Sequence, residues 1–92
     1  MLVYHLTGKV KDLPRLIHNW NELPENVIQT LITGEEYRVY ENQELIIYNG
    51  YEVAASCTIE VIQVKDIKYT LIKNCWTVEG CIWEDNQENT LH

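Results

Sequence analysis

Three histidines, three cysteines and fourteen carboxylates are the side chains of this chain with chemistry to offer. His5, His18 and His92 are far apart, and Cys75-x5-Cys81 is not a zinc-ligand spacing, so the sequence predicts no metal centre. An odd cysteine count with no C-x-x-C pair points to reduced thiols and a cytosolic chain. Cys57, Cys75 and Cys81 each sit in an apolar strand pattern and read as small buried hydrophobes. Nucleophilic catalysis would need Ser56 or Cys57 beside His18, and nothing local brings them together. There is no G-x-S-x-G, no Gly-rich phosphate loop and no H-E-x-x-H. The chain therefore reads as a non-enzyme without a cofactor.

The carboxylates carry the stronger signal. The formal charge is −7, from seven Lys and Arg against fourteen Asp and Glu. The acid is blocked: residues 21–60 hold eight glutamates against Arg38 alone. Affinity for nucleic-acid phosphates comes from cations that release counterions, so this balance argues against direct DNA binding. Lys9, Lys11 and Arg15, and then Lys65, Lys68 and Lys73, read as solvated edges that discourage strand pairing. The acidic block has a bland reading, solubility, and a functional one, imitation of DNA. Duplex DNA presents a phosphate every ~3.4 Å along each strand. Same-face carboxylates on a strand lie ~7 Å apart, and helix neighbours at i,i+3 ~5–6 Å apart. Glu22 and Glu25, then Glu35, Glu36, Glu41, Glu44 and Glu52, can supply such a row. Tyr37 and Tyr40, with Tyr48 and Tyr51, would add contact area among them.

Those side chains must be held by a small α+β domain. A hydrophobic fraction of 46% over 92 residues supports one modest core. Leu2, Tyr4 and Leu6 alternate as a short strand that Thr7-Gly8 ends. Asp12 and Pro14 open a helix with Leu13, Leu16, Ile17 and Trp20 at helical spacing. A second helix begins at Glu25 and carries Val27, Ile28, Leu31 and Ile32, with Gly34 at its C-terminal stop. The period then changes to 2, with strands at 37–40 and 45–48. Asn49-Gly50 predicts a type I′ hairpin that carries Ile47 and Val53 inward. A long strand from Tyr51 to Val64 bends near Ala54-Ala55-Ser56, Lys65-Asp66 turns, and 67–71 is a half-buried strand. Lys73-Asn74 turns again, before a last strand and a polar tail over 85–92. The expected architecture is an N-terminal strand, two short helices, then an antiparallel meander of about five strands curling toward a small barrel.

The stretch from Ile28 to Val64 resembles the core of PUA-like domains, especially the ASCH group. The matching pieces are the helix Ile28–Ile32 with Gly34, Glu36-Tyr37-Arg38, Leu45–Gly50, and the long strand Ile59–Val64. That resemblance implies a module binding RNA or a modified base, or an ASCH-type amidohydrolase. Members usually carry a lysine directly after the glycine; here Glu35-Glu36 follow Gly34, which puts both activities in doubt. In size and charge the chain is also similar to small acidic DNA mimics of large phages, the Arn-like antirestriction proteins.

Together these features predict a single domain, 1–92, that imitates DNA phosphate charge and blocks a basic DNA-binding protein of a host, as a phage counter-defence factor would. No membrane span is expected, since the longest apolar run is Leu45-Ile46-Ile47-Tyr48. The N-terminus lacks a basic n-region, which predicts a cytoplasmic protein. Two copies would lengthen the anionic surface, which points toward a homodimer.

Overall fold

A computed structural model describes residues 6–85. The chain runs β1 (Leu6–Lys9), a 3₁₀ turn (Val10–Asp12), α1 (Leu13–Leu16), a second 3₁₀ turn (Trp20–Glu22) and α2 (Glu25–Leu31). It continues through β2 (Glu36–Val39), β3 (Glu44–Asn49), β4 (Glu52–Val64), β5 (Ile67–Thr77) and β6 (Gly80–Glu84). All six strands form one antiparallel sheet in the order β1-β2-β3-β4-β5-β6. This is the α+β layout the periodicity implies. Residues 1–5 and 86–92, with the expected strand positions Leu2 and Tyr4 and most of the polar tail, lie outside the described residues.

The sheet curls without closing. One of its faces carries Tyr37, Leu45, Ile47, Ala55, Cys57, Ile59, Ile72 and Cys75, and onto it pack Val10, Leu13, Ile17, Trp20, Leu23, Val27 and Leu31 from the helical segments. The curl brings the free edge of β5 to the segment after α1. Ile17 bridges Thr70 in parallel, and the His18 N–H donates to the Thr70 carbonyl at 2.7 Å. Asn19 then acts as a short piece of strand. Its Nδ2 donates to the Ile72 carbonyl and its Oδ1 accepts from the Ile72 N–H, both at 3.0 Å. This pairing ends the first helix early: Ile17 is extended, so Leu13, Ile17 and Trp20 reach the core from three local conformations while Leu16 stays exposed.

Several local expectations need correction. Thr7-Gly8 lies inside β1; Gly8 stands opposite Tyr37, and its missing side chain leaves room for the phenol ring. Gly34 follows α2 without a positive φ; a side chain there would overlap Ile47, so close packing requires the glycine. Asn49 remains in β3, paired with Glu52, and the two-residue loop is Gly50-Tyr51. Gly50 has φ +68 and Tyr51 has no positive φ, the pattern of a type II′ turn and not of the expected I′ turn. A register shift follows at once: Ile47 pairs with Ala55, Tyr48 with Val53. The extra residue, Ala54, is the bulge expected around 54–56, and it turns Val53 outward, 49% exposed, while Ile47 stays buried. Lys73-Asn74 is a second bulge inside β5 and not a turn; the chain reverses at Val78-Glu79. Cys81 is exposed, its thiol donating to the Trp83 carbonyl, because it lies on the outward side of an edge strand.

Candidate functional site

The face of the sheet turned away from the core is where the acidic and aromatic residues gather. Glu36 and Arg38 of β2, and Glu44, Ile46 and Tyr48 of β3, alternate with the buried Tyr37, Leu45 and Ile47 and so share that outer face. Glu36 stands opposite Tyr48, and Arg38 opposite Ile46. Glu35 adjoins Glu36, and its backbone N–H donates to the Tyr48 carbonyl at 2.8 Å. Glu52 pairs with Asn49 at the same end of β3. Glu41 lies in the turn at the opposite end, next to Glu44, where the Tyr40 N–H donates to the Glu44 carbonyl at 2.8 Å. The structure therefore brings Glu36 to one end of this face and Glu41 and Glu44 to the other; Glu52, opposite Asn49, takes the face opposite to Tyr48 and Val53, and Glu35 lines a separate cleft beside Gly34, which corrects their expected place in the row.

Between the two groups lies an aromatic and cationic strip. The hydroxyls of Tyr40 and Tyr48 are 3.0 Å apart, and the Arg38 guanidinium lies 5.8 Å from the centre of the Tyr48 ring. The hydrogen bond from Tyr48 holds the Tyr40 phenol below its ordinary pKa, and the same bond raises that of Tyr48. Ile46 and Val53 complete the strip. Lys9 pairs with Glu36 at 3.1 Å across β1 and β2; both side chains are well exposed, so the pair contributes little stability.

The remaining residues expected at this surface are elsewhere. Tyr37 is 9% exposed and belongs to the core, where burial and the nearby Asp12 carboxylate raise its pKa. It offers a partner no contact area, which corrects its expected surface role; strand alternation alone turns it inward. Glu22 and Glu25 are exposed on the helical layer, across the core from the outer face. They do not sit one helical turn apart on one helix, because Pro24 separates the 3₁₀ turn from α2. Other carboxylates are committed to ion pairs: Asp12 to Arg15, and Glu60 and Asp85 to Lys73 at 3.6 and 3.0 Å. The hydrogen bond to Asp85, with the carboxylates around it, raises the Lys73 pKa.

Among the described residues, no group of three or more His, Cys, Asp or Glu is placed to hold a metal ion. Cys57 and Cys75 face each other across β4 and β5, sulfurs 3.2 Å apart. The bond to Cys75, and then burial, push the Cys57 thiol far above its ordinary range, the reverse of an activated nucleophile. Ser56 stands opposite Trp76, whereas His18 packs against Tyr69 with the rings tilted by 60° and their centres 4.5 Å apart, about 20 Å back along β5. A cavity of about 260 Å³ at the end of the core is lined by Leu13, Ile17, Tyr37, Leu45, Ile59 and Val61 among others, below the ~300–1,000 Å³ of small-molecule pockets.

One arrangement had no signal in the sequence. Lys9 and Lys11 line a shallow cleft with Ile32, Gly34 and Glu35, and the Val10 N–H donates to the Glu35 carbonyl at 2.9 Å. Lys9 and Lys11, distant in sequence, thus stand beside Gly34.

Among the described residues, no helix is long and apolar enough to cross a membrane. No family model matches the chain, and no curated protein or solved structure matches it either.

Proposed function

We propose that this chain is a non-enzymatic interaction protein that offers a DNA-like pattern of negative charge to a basic, DNA-binding site on a host protein, and so blocks that site in the host cytoplasm. The observation that carries the reading is the division of the outer face into two acidic ends. Tyr48 is opposite Glu36, and Glu44 lies four residues from Tyr48 along β3, so at ~3.3 Å per residue the ends are about 13 Å apart. The major groove of B-DNA is ~12 Å wide between its two rows of phosphates. A basic element that fits between phosphate rows would find Glu36 on one side and Glu41 and Glu44 on the other, with Tyr40, Ile46 and Tyr48 beneath it. Carboxylates on a hydrogen-bonded sheet are pre-positioned, so little ordering entropy is lost when they meet cations. Their summed field would speed encounter with a positive partner.

The test begins with capture of the host partner from a bacterial lysate by the immobilised chain, with and without nuclease. Kinetics on the recovered partner then decide the mechanism. Changing Glu35, Glu36, Glu41 and Glu44 together to Gln should slow association roughly tenfold or more at low salt, within the range of electrostatic steering. Rising salt should weaken the parent chain in the same way, since exposed charges are screened over ~8–10 Å at 0.1–0.15 M ionic strength, and duplex DNA should compete. A quadruple variant that associates as fast as the parent would end the reading.

A second reading, a PUA- or ASCH-like module that binds RNA or a modified base, draws support from the cleft of Lys9 and Lys11 beside Gly34. It predicts recovery of RNA without a protein partner, and loss of that RNA on changing Lys9 and Lys11 to Ala.

A further inference from the structure

The hairpin of β4 and β5 is longer than the rest of the sheet. Pairing of β3 with β4 stops at Glu44 opposite Thr58, whereas β4 and β5 stay paired out to Val64 opposite Ile67. From Glu60 to Val64, the side of β4 that would face β3 has no strand against it among the described residues. The alternation of the backbone identifies the free groups. The Ile59 N–H points toward the β3 side, donating to the Gln43 carbonyl at 3.0 Å, and the Thr58 N–H points toward β5, donating to Asn74 Oδ1 at 3.3 Å. Val61 and Gln63 therefore direct their N–H and C=O groups to the open edge. The side chains along this arm are apolar and exposed: Val61 43%, Ile62 37%, Val64 50% and Ile67 56%. An open, apolar strand edge is a template for pairing with another chain.

We propose that Glu60–Val64 pairs antiparallel with the same segment of a second copy, about a two-fold axis at Ile62. This inference does not rest on the charge-mimic reading. The register follows from the free groups. Centring on Ile62 sets Val61 against the second copy's Gln63, and Gln63 against its Val61, so each free pair meets its complement. Centring on Val61 would need the Ile59 N–H, already given to Gln43. Centring on Gln63 would pair Val61 with Lys65, which has φ +58 in the turn and is not extended. In the favoured register, Ile62 meets its symmetry mate as a non-hydrogen-bonded pair, where side chains approach most closely.

Charge complementarity selects a second copy as the occupant. The register carries each hairpin tip past Glu60 toward the end of the other copy's β3, which begins at Glu44 after the turn holding Glu41. The tip bears Lys65 and Lys68 against Asp66, all exposed. Two chains of net charge −7 repel overall, yet this approach places the basic tip of each against the acidic turn of the other, twice per dimer.

Sedimentation equilibrium of the full chain at 1–100 μM should give twice the 10.9 kDa chain mass; a monomer throughout would overturn the proposal. Ile62→Lys sets two like charges across the axis and should weaken the dimer at least a hundredfold, whereas Val78→Lys, at an exposed turn off the arm, should leave it intact. A dimer that survives Ile62→Lys would overturn it too. Should that variant not fold, Ile62→Cys in a Cys81→Ser background, treated with oxidised glutathione, should give a covalent dimer that Val64→Cys does not. Equal cross-linking of the two, or none, counts against the register. Exchange of the Val61 and Gln63 amides should slow as concentration rises. Protection independent of concentration would mean that the chain covers its own edge, and would refute the proposal.

Discussion

Replacing Asn19 should expose how the sheet holds its curl. This side chain is 6% exposed, and its amide makes both hydrogen bonds to the backbone of Ile72, itself fully buried. Asn19→Leu keeps the number and branching of the side-chain heavy atoms, with methyl groups bulkier than the amide they replace, and removes both partners, so water cannot readily reach the freed N–H and C=O. Each buried unsatisfied group costs ~1–3 kcal/mol, which gives roughly 2–6 kcal/mol for the pair. That is a large part of the ~5–15 kcal/mol that holds a domain folded. Asn19→Asp is the sharper variant. An ionised carboxylate still accepts from the Ile72 N–H but faces the Ile72 carbonyl without a proton, whereas the neutral acid can donate to it. Burial and that carbonyl raise the folded-state pKa of the introduced acid above the unfolded ~3.9. The penalty is therefore absent below about pH 4, grows as pH rises from there to the folded pKa, and is constant above it. Urea denaturation followed by tryptophan fluorescence from pH 4 to 8, with the parent at each pH, measures the difference; Trp20, one residue away and buried, is a local reporter. Asn19→Leu within about 1 kcal/mol of the parent, or an Asn19→Asp deficit that does not change with pH, would refute the idea that this amide replaces a strand.

Two further outcomes follow from the sheet. Gly50→Val should cost roughly 1–2 kcal/mol, because φ is +68 there and a β-branched residue resists positive φ; no atom lies within 4 Å of the new Cβ, so the cost is backbone strain and not collision. An unchanged denaturation midpoint would mean that the turn is misplaced. Tyr48→Phe should raise the Tyr40 pKa toward the ordinary value near 10, since it removes the hydrogen bond that favours the Tyr40 phenolate. Ultraviolet titration of the phenols reads this directly, and a titration curve missing only one ordinary tyrosine would show that the hydroxyl pair does not form. Because the folded pKa of Tyr40 is the lowered one, its ionisation adds stability only toward and above pH 10 and nothing near neutrality.

The acidic block and the apolar periods are local properties, and residue types alone determined them. Alternation at 37–40, 45–48 and 67–71 marked strands because a pleated chain shows its side chains to opposite faces in turn. The Val27/Leu31 stripe marked a helix for the corresponding reason at period 3.6, and the glutamates of 35–44 lie in or beside strands where that reading put them. What depended on partners distant in sequence was decided by tertiary structure. Val53 faces outward because a one-residue bulge against β3 reverses the alternation, and a sequence does not reveal on which residue a ladder slips. Trp20 reaches the core without a continuous helix because Ile17 and Asn19 pair with β5, more than fifty residues away. Lys9 lines the same cleft as Gly34 only through the pairing of β1 with β2, a neighbourhood that residue types alone did not reveal. The charge of the outer face could be counted from the residues, but its division into two ends around Arg38, Tyr40 and Tyr48 required the register that sets Glu36 opposite Tyr48.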